Sequence, residues 1–366
     1  MNKFLTGILN IICAVNVVVV VAMIVTGYSY YLNPETYPVL STAGLFFPIT
    51  AVVNIVFFIF WYFVRKTYLI VPTLGFLICC VPIRTYCPLN VPLTPTEACF
   101  RVLSYNTLSF GGGTAEKDST NQVLLYIKEI DADIVCLQES GATSVPIDVI
   151  KTTLNKYPYI STGTVGSTDF CSLLTLSKYP LVKTENIPMK SGKNAAVAYW
   201  INMDDEKVCV INCHLESNQL SPEEKEQYVN VLKSVRDGDF ESDTIKAESK
   251  RIVKKLANAA VPRSEQARTI AAFIQRHEGS PIIVCGDFND NPLSYTHHTI
   301  AENLQDCYVR AGMGLGFSYN QKGFNVRIDN ILCSSHFKPY TCEVDNEIME
   351  SDHYPILSYM KRKLGQ

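Results

Sequence analysis

Apolar and polar positions follow two regimes along the chain. Phe4 to Gly27 supplies 24 residues without a charge, and Ala43 to Val64 supplies 22 more. A helix needs about 20 apolar residues to cross a bilayer core, so both runs predict spans. Tyr68 to Ile83 adds 16 uncharged residues, interrupted by Pro72 and Pro82, and is read as a third, shorter span. A signal peptide is the rival reading of the first run. That run is long, however, and leads into Tyr28, Tyr30 and Tyr31, the pattern of an interfacial aromatic belt. Pro88, Pro92 and Pro95 mark a linker over 85–96. Beyond it the apolar runs shorten. Those at 99–108, 134–137, 171–176, 197–201, 208–213, 282–285, 328–333 and 356–360 predict buried strands, and 122–130 and 149–156 predict helices.

The segment 221–277 is helical in pattern. Ser221-Pro222-Glu223-Glu224 has the order of a capping box, with Ser at N-cap, Pro at N1 and Glu at N3. Ser264 is expected to cap a last helix carrying Ala267, Ile270, Ala271 and Ile274, stopped at Gly279. The expected domains are thus a transmembrane region over 1–84 (spans near 4–27, 43–64 and 68–83), the linker, and a body over 97–366.

Charge sharpens this division. Residues 1–96 hold only Lys3, Glu35, Arg65, Lys66 and Arg84, which leaves 62 charged residues, or 23%, for the 270 that follow. The front is membrane-like, the body is close to the globular norm of about 25% charged, and a disordered chain is excluded. Lys3, Arg65 and Lys66 flank the spans on one side, whereas the loop 28–42 has no Lys or Arg. The positive-inside rule then puts the N-terminus in the cytoplasm and, with three spans, the body outside, against the vote of Arg84. The body's nine cysteines include no C-x-x-C pair, which argues against a zinc cluster. Their odd number sits uneasily with an oxidising compartment.

Six motifs share one format, an apolar strand ending in a polar group. They are Arg101–Asn106, Asp133–Glu139, Val210–His214, Ile283–Asn289, Arg327–Leu332 and Ser351–Pro355. Each alone is unremarkable; a lone His214 or Glu139 is more often structural or solvated. Polar groups beside a core need partners, so the set together implies a common site.

This set resembles the endonuclease/exonuclease/phosphatase superfamily, the fold of deoxyribonuclease I, over about residues 98–362, with GDFN and SDHYP as its most specific motifs. The resemblance implies an α/β fold, a four-layer α/β sandwich of two mostly antiparallel sheets flanked by helices. It also implies a divalent-metal-dependent phosphoesterase. Glu139 would be the main ligand of Mg²⁺ or Mn²⁺, with Asn106 beside it and Asp352 reaching the metal through water or taking a second ion. His214 would contact a phosphate oxygen. Asp287 and Asn289 would position water and the phosphoryl group, and His353, oriented by Asp329, would be the base or the charged stabiliser. Ser109 stands where many nuclease members carry a second acidic residue. The expected partners are a phosphoester substrate (lipid, small molecule or nucleic acid) and a bilayer held by the N-terminal helices; no protein partner is expected. The body carries 28 Lys and Arg against 34 Asp and Glu, and a polyanion binder usually shows a basic patch. The alternatives are a nuclease and a non-catalytic anchored binding module.

Overall fold

The computed structural model describes residues 3–363 except 113–120, 142–144, 164–171, 193, 219, 222, 225, 228–229, 231–242 and 322–323. Cys171 and Pro222, which enter the expected strand and capping box, lie outside the described residues. The apolar front forms α1 (Lys3–Gly27), α2 (Phe47–Val64), α3 (Ile70–Ile78) and α4 (Cys80–Tyr86). Two helices, Lys3–Gly27 and Leu40–Val64, are long and apolar enough to cross a membrane, with mean hydropathies of 2.9 and 2.3. The third expected span is a bent pair, Lys66–Ile78 and Cys80–Tyr86, at 59°, which makes a third crossing if the pair is one span. The bend has a local cause. Pro82 has no N–H to offer the carbonyl of Ile78 one turn back, and the Tyr28 hydroxyl donates to that carbonyl instead at 2.5 Å. Three buried polar groups join these helices. Asn16 donates to Asn54 at 3.3 Å, Trp61 Nε1 donates to Asn16 at 3.0 Å, and Asn54 donates to the Pro72 carbonyl at 3.0 Å. In an apolar surround such bonds hold helices together because their unpaired state is costly.

The body contains β1 (Cys99–Asn106), α5 (Gln122–Ile130), β2 (Ile134–Gln138), α6 (Ile147–Thr153), β3 (Tyr159–Gly163), β4 (Leu173–Ser177), β5 (Leu181–Ile187), β6 (Ala195–Met203) and β7 (Glu206–His214). It continues through α7 (Asp243–Arg276), β8 (Ile282–Asp287), α8 (Tyr295–Ala301), β9 (Gln305–Asp306), α9 (Cys307–Ala311), β10 (Tyr319–Gln321), β11 (Phe324–Val326), β12 (Asp329–Cys333), β13 (Phe337–Val344) and β14 (Ile356–Arg362). One sheet has the order β13-β14-β1-β2-β4-β3 and the other β5-β6-β7-β8-β12-β9. Every pairing is antiparallel except β1 with β2 and β7 with β8. The first parallel pair is crossed by α5, and the second by the segment that includes α7. Alternation of period two divides each strand between cores. Val102, Cys136, Val210 and Cys285 fill the space between the sheets. Leu103, Tyr105, Val135 and Leu137 turn outward onto α5 and α6, and Ile211, Cys213 and Val284 turn onto Ile270 and Phe273 of α7. Four layers result, as the motifs implied.

Three details differ from the sequence expectations. The first strand ends at Asn106, because Leu108, Ser109, Phe110 and Gly111 take positive φ and turn the chain away. Ser264 caps nothing: α7 runs unbroken past Pro262, and the Ser264 hydroxyl donates to the Val261 carbonyl. No continuous apolar run predicts β3, β5, β9 or β13, which form the edges of the two sheets. The capping box does form: Ser221 N donates to the Glu224 carboxylate at 2.8 Å, and Glu224 N donates to the Ser221 hydroxyl at 3.3 Å.

Candidate active site

The two parallel pairs end at the same edge of the sandwich. In the first sheet Asn106 is in register with Gln138, so Glu139 leaves the strand beside it. In the second, His214 is in register with Asp287, and Asp329 at the start of β12 is in register with the same Asp287. His353 precedes β14, which pairs with β1. Buried bonds from Gln138 Nε2 to Asn212 Oδ1 (2.7 Å) and from Asn212 Nδ2 to the Leu137 carbonyl (3.1 Å) tie the sheets together beneath this edge.

Seven of the eight expected residues meet there. Asn106 Nδ2 donates to Glu139 Oε1 at 3.2 Å and to Asp287 Oδ2 at 3.1 Å, bridging the sheets. His214 Nε2 faces the same two oxygens at 3.5 and 3.6 Å. His353 Nδ1 lies 2.8 Å from Asp329 Oδ2, and its Nε2 points at Asp287 Oδ2, 3.7 Å away. Asn289 binds Asp287 twice, through its backbone N–H (2.8 Å) and its amide (3.2 Å). The eighth, Asp352, is half-buried beside His353, and among the described residues its carboxylate has no bond to Glu139 or Asn106. Glu139 and Asn289 hold φ of 49° and 52°. Such left-handed geometry in non-glycine residues costs about 1–3 kcal/mol and persists where the surroundings enforce it.

Burial sets the electrostatics. Asp287 is almost fully buried, and this desolvation, with the nearby Asp329 carboxylate, raises its pKa to about 6 against the pull of His353 and His214. Burial alone would lower the pKa of His353, but the Asp329 and Asp287 carboxylates outweigh it and lift the imidazole to about 10. His353 is therefore a buried cation held between two carboxylates.

The donor set fits a hard divalent cation. Oxygens of Glu139 and Asp287 converge on the Asn106 amide nitrogen, while Asn106 Oδ1 accepts from Leu108 N. The two carboxylates supply the hard oxygen chemistry that suits Mg²⁺ or Mn²⁺, and Asn106 would turn its amide oxygen to join them. Both His214 nitrogens are buried without a hydrogen-bond partner among the described residues, and Nε2 faces these carboxylates. A buried imidazole left in that state awaits a polar ligand. Asp287, Asp329 and His353 also form a compact buried group whose ligating atoms lie within 4.8 Å of one another.

A profile described as the endonuclease/exonuclease/phosphatase family matches residues 103–353, more than two thirds of the chain. The chain belongs to the endonuclease/exonuclease/phosphatase family. A second profile, described as a domain of unknown function, matches residues 9–86. No curated protein matches. Solved structures share the fold at low identity. The catalytic domain of human Nocturnin, with a bound sulfate anion, has TM-score 0.53 at 16% identity, covering 74% of this chain and 97% of that one. The Bacteroides vulgatus endonuclease/exonuclease/phosphatase has TM-score 0.52 at 16% identity, covering 73% and 100%. D. rerio TDP2 complexed with a single-strand DNA product has TM-score 0.50 at 14% identity, covering 72% and 100%.

Within this family fold, other residues support the site: Tyr319 and Arg263 carried no sequence signal, and Ser351 lies inside the SDHYP motif without having been given a role. Tyr319 packs edge-on against His353, with ring centroids 4.9 Å apart. Ser351 Oγ donates to the Asn106 carbonyl and accepts from His353 N, which clips the SDHYP loop to β1. Arg263 of α7 is almost fully buried; it reaches Asp290 Oδ2 at 3.2 Å, the Glu216 carbonyl at 2.8 Å and Asn218 Oδ1 at 3.0 Å. Asn218 in turn donates to the Asn289 carbonyl. Arg263 thus positions the loop that carries Asn289. Arg263→Ala removes the cation from Asp290 and leaves that carboxylate only neutral donors in Thr296 and Asn291, and is expected to cost about 2–3 kcal/mol. It should also lower kcat about tenfold with KM little changed, as displacement of a positioned group does. Thermal melts and steady-state kinetics check this; unchanged kcat removes Arg263 from the site's support.

Proposed function

We propose that this chain is a membrane-anchored phosphoesterase, dependent on a divalent cation, that hydrolyses a phosphodiester or phosphomonoester by in-line attack of water. The observation that carries the reading is the convergence of Asn106, Glu139, His214, Asp287, Asn289, Asp329 and His353 at one edge. Similar folds have been solved with a sulfate anion and with a single-strand DNA product.

In this reading Glu139 and Asn106 would hold the cation, with Asp352 at the rim, and a divalent ion held there would supply neutralisation of charge on the phosphoryl oxygens. His214 donates to a phosphoryl oxygen. Asp287, fixed by Asn289 and Asn106, orients the attacking water and takes its proton. His353, kept cationic by Asp329, stabilises the charge that develops in the transition state. The nuclease reading is supported by the DNA-bound neighbour. The body's net charge of −6 and its lack of a basic track disfavour a long polyanion.

The anchor supports an orientation. The loop between α1 and α2 packs on the body, with Tyr30 against His298 and an ion pair between Arg268 and Glu35. Body and loop therefore lie on one side, and the bent α3–α4 pair returns the chain to that side. Lys3, Arg65 and Lys66 fall on the other, which is cytoplasmic by the positive-inside rule. A C-terminal reporter active only outside the cytoplasm is expected to be active; a silent one with a folded body reverses the orientation.

The reading is tested with the full chain in detergent on bis(4-nitrophenyl) phosphate and 4-nitrophenyl phosphate, with Mg²⁺ or Mn²⁺. Chelator is expected to abolish turnover, and Glu139→Ala to reduce it about 10²–10³-fold while weakening the thermal shift produced by the cation. No hydrolysis of either ester defeats the enzyme reading.

A further inference from the structure

Both places where the chain leaves its apolar helices are seated on segments that carry site residues. In the first turns of the second apolar segment, Leu40–Val64, a Cβ on Gly44 would stand 2.6 Å from the Leu293 carbonyl and 3.2 Å from Asn291 Oδ1, so the two backbones approach as only glycine permits. Leu293 follows Asn289 by four residues. At the end of α4, the Thr85 carbonyl accepts from Arg327 Nη2 at 2.5 Å, two residues before Asp329. Four residues span at most about 14 Å. The backbones of Asn289 and Asp329 therefore lie within about that distance of the residues on which the membrane-emergent chain is seated.

The exposed apolar surface of the body points the same way. Leu89 and Val91 are 77% and 86% exposed, and Met313, bridged to Leu89, is 65% exposed. Leu108 and Met349 are exposed beside the site, two residues after Asn106 and in contact with the Tyr354 hydroxyl. An open cleft of about 510 Å³ runs from Met313 past Phe317 and Val344 to Asn320 and Tyr354, the neighbour of His353. Its lining is apolar and neutral-polar apart from Glu343, which suits the apolar part of an amphiphile, and it ends at Tyr354 beside His353, where the headgroup would be met. A soluble domain has little reason to gather exposed Leu, Val and Met there.

We infer that the substrate is the phosphoester headgroup of a lipid in the bilayer that α1 and α2 occupy, entering this cleft from the membrane surface. The inference rests on the phosphoesterase reading above. One water is consumed: its oxygen bonds to phosphorus, the P–O bond to the leaving alcohol breaks, and that alcohol departs with a proton.

The test uses the full chain reconstituted in vesicles of phosphatidylcholine, phosphatidylglycerol and phosphatidic acid with Mg²⁺. Lipid products are read by mass spectrometry. Bis(4-nitrophenyl) phosphate and a single-stranded oligonucleotide are assayed in parallel. Lipid turnover is expected to exceed oligonucleotide turnover. Leu89→Glu with Val91→Glu, both outside the cleft, is expected to lower lipid turnover about tenfold, with the soluble diester cleaved at the parental rate. Cleavage of the soluble diester with intact lipids overturns the lipid assignment and leaves the phosphoesterase reading standing, as does faster cleavage of the oligonucleotide. A double variant that cleaves lipid at the parental rate also overturns it. Failure on every ester defeats both.

Discussion

His353→Ala should lower phosphoester turnover by about 10²–10⁴-fold while the protein stays folded, because the residue supplies a positioned proton and charge rather than core volume. Asp329→Asn should approach the same loss. Asp329 is fully buried and its Oδ2 lies 2.8 Å from His353 Nδ1. The amide keeps the shape and removes the counter-charge, so the imidazolium is no longer held. Stability reports on the same pair. His353 binds its proton more tightly in the folded chain, where its pKa is about 10, than in the unfolded chain at about 6.5. The pairing therefore stabilises fully below about pH 6.5 and is lost as pH rises through about 10. The difference in melting temperature between parent and Asp329→Asn should narrow over that window. Parental kcat in either variant, or a constant difference across it, sinks the assignment.

Gly286→Ala should destabilise the body by at least about 3 kcal/mol and abolish turnover. A Cβ at this position would lie 2.0 Å from the Cys213 carbonyl oxygen and 2.8 Å from Cys213 Sγ. Gly286 is in register with Cys213, one step before His214 meets Asp287. The collision is with backbone on a buried central strand, so it can be relieved only by parting β7 from β8, which separates those two side chains. Thermal melting and the soluble-ester assay decide the matter. A variant with parental melting temperature and rate means that the strands do not approach so closely.

The candidate site was legible in unusual detail because its residues announce themselves locally. Asn106, Glu139, His214 and Asp287 each follow an apolar strand, and such strands are recognisable from short runs. Edge strands β5 and β13 were not legible, since one exposed face dilutes the apolar signal. Ser264 misled for a related reason: a serine before an apolar helical stretch looks like a cap. Here the packing of Ala267, Ile270 and Phe273 on the second sheet carries α7 straight through Pro262. Arg263 gave no warning, because a single arginine in a helical stretch is ordinarily solvent-facing. The bend at the third apolar segment was foreshadowed by Pro82, but the Tyr28 hydroxyl that completes it lies far away in sequence.

Sequence alone determined the division into an apolar front and a globular body, the inner strands of both sheets, and the identity of the polar residues at their ends. These follow from periodicity and composition, which depend on neighbours along the chain. Tertiary structure alone decided that Asn106 spans the two sheets to reach Asp287, that His353 is a cation between two buried carboxylates, and that the chain's exits from its apolar helices lie against the loop of Asn289 and the strand of Asp329. Register, burial and charge coupling depend on residues far apart in sequence, and become defined only when the strands pair and water is excluded from between the sheets.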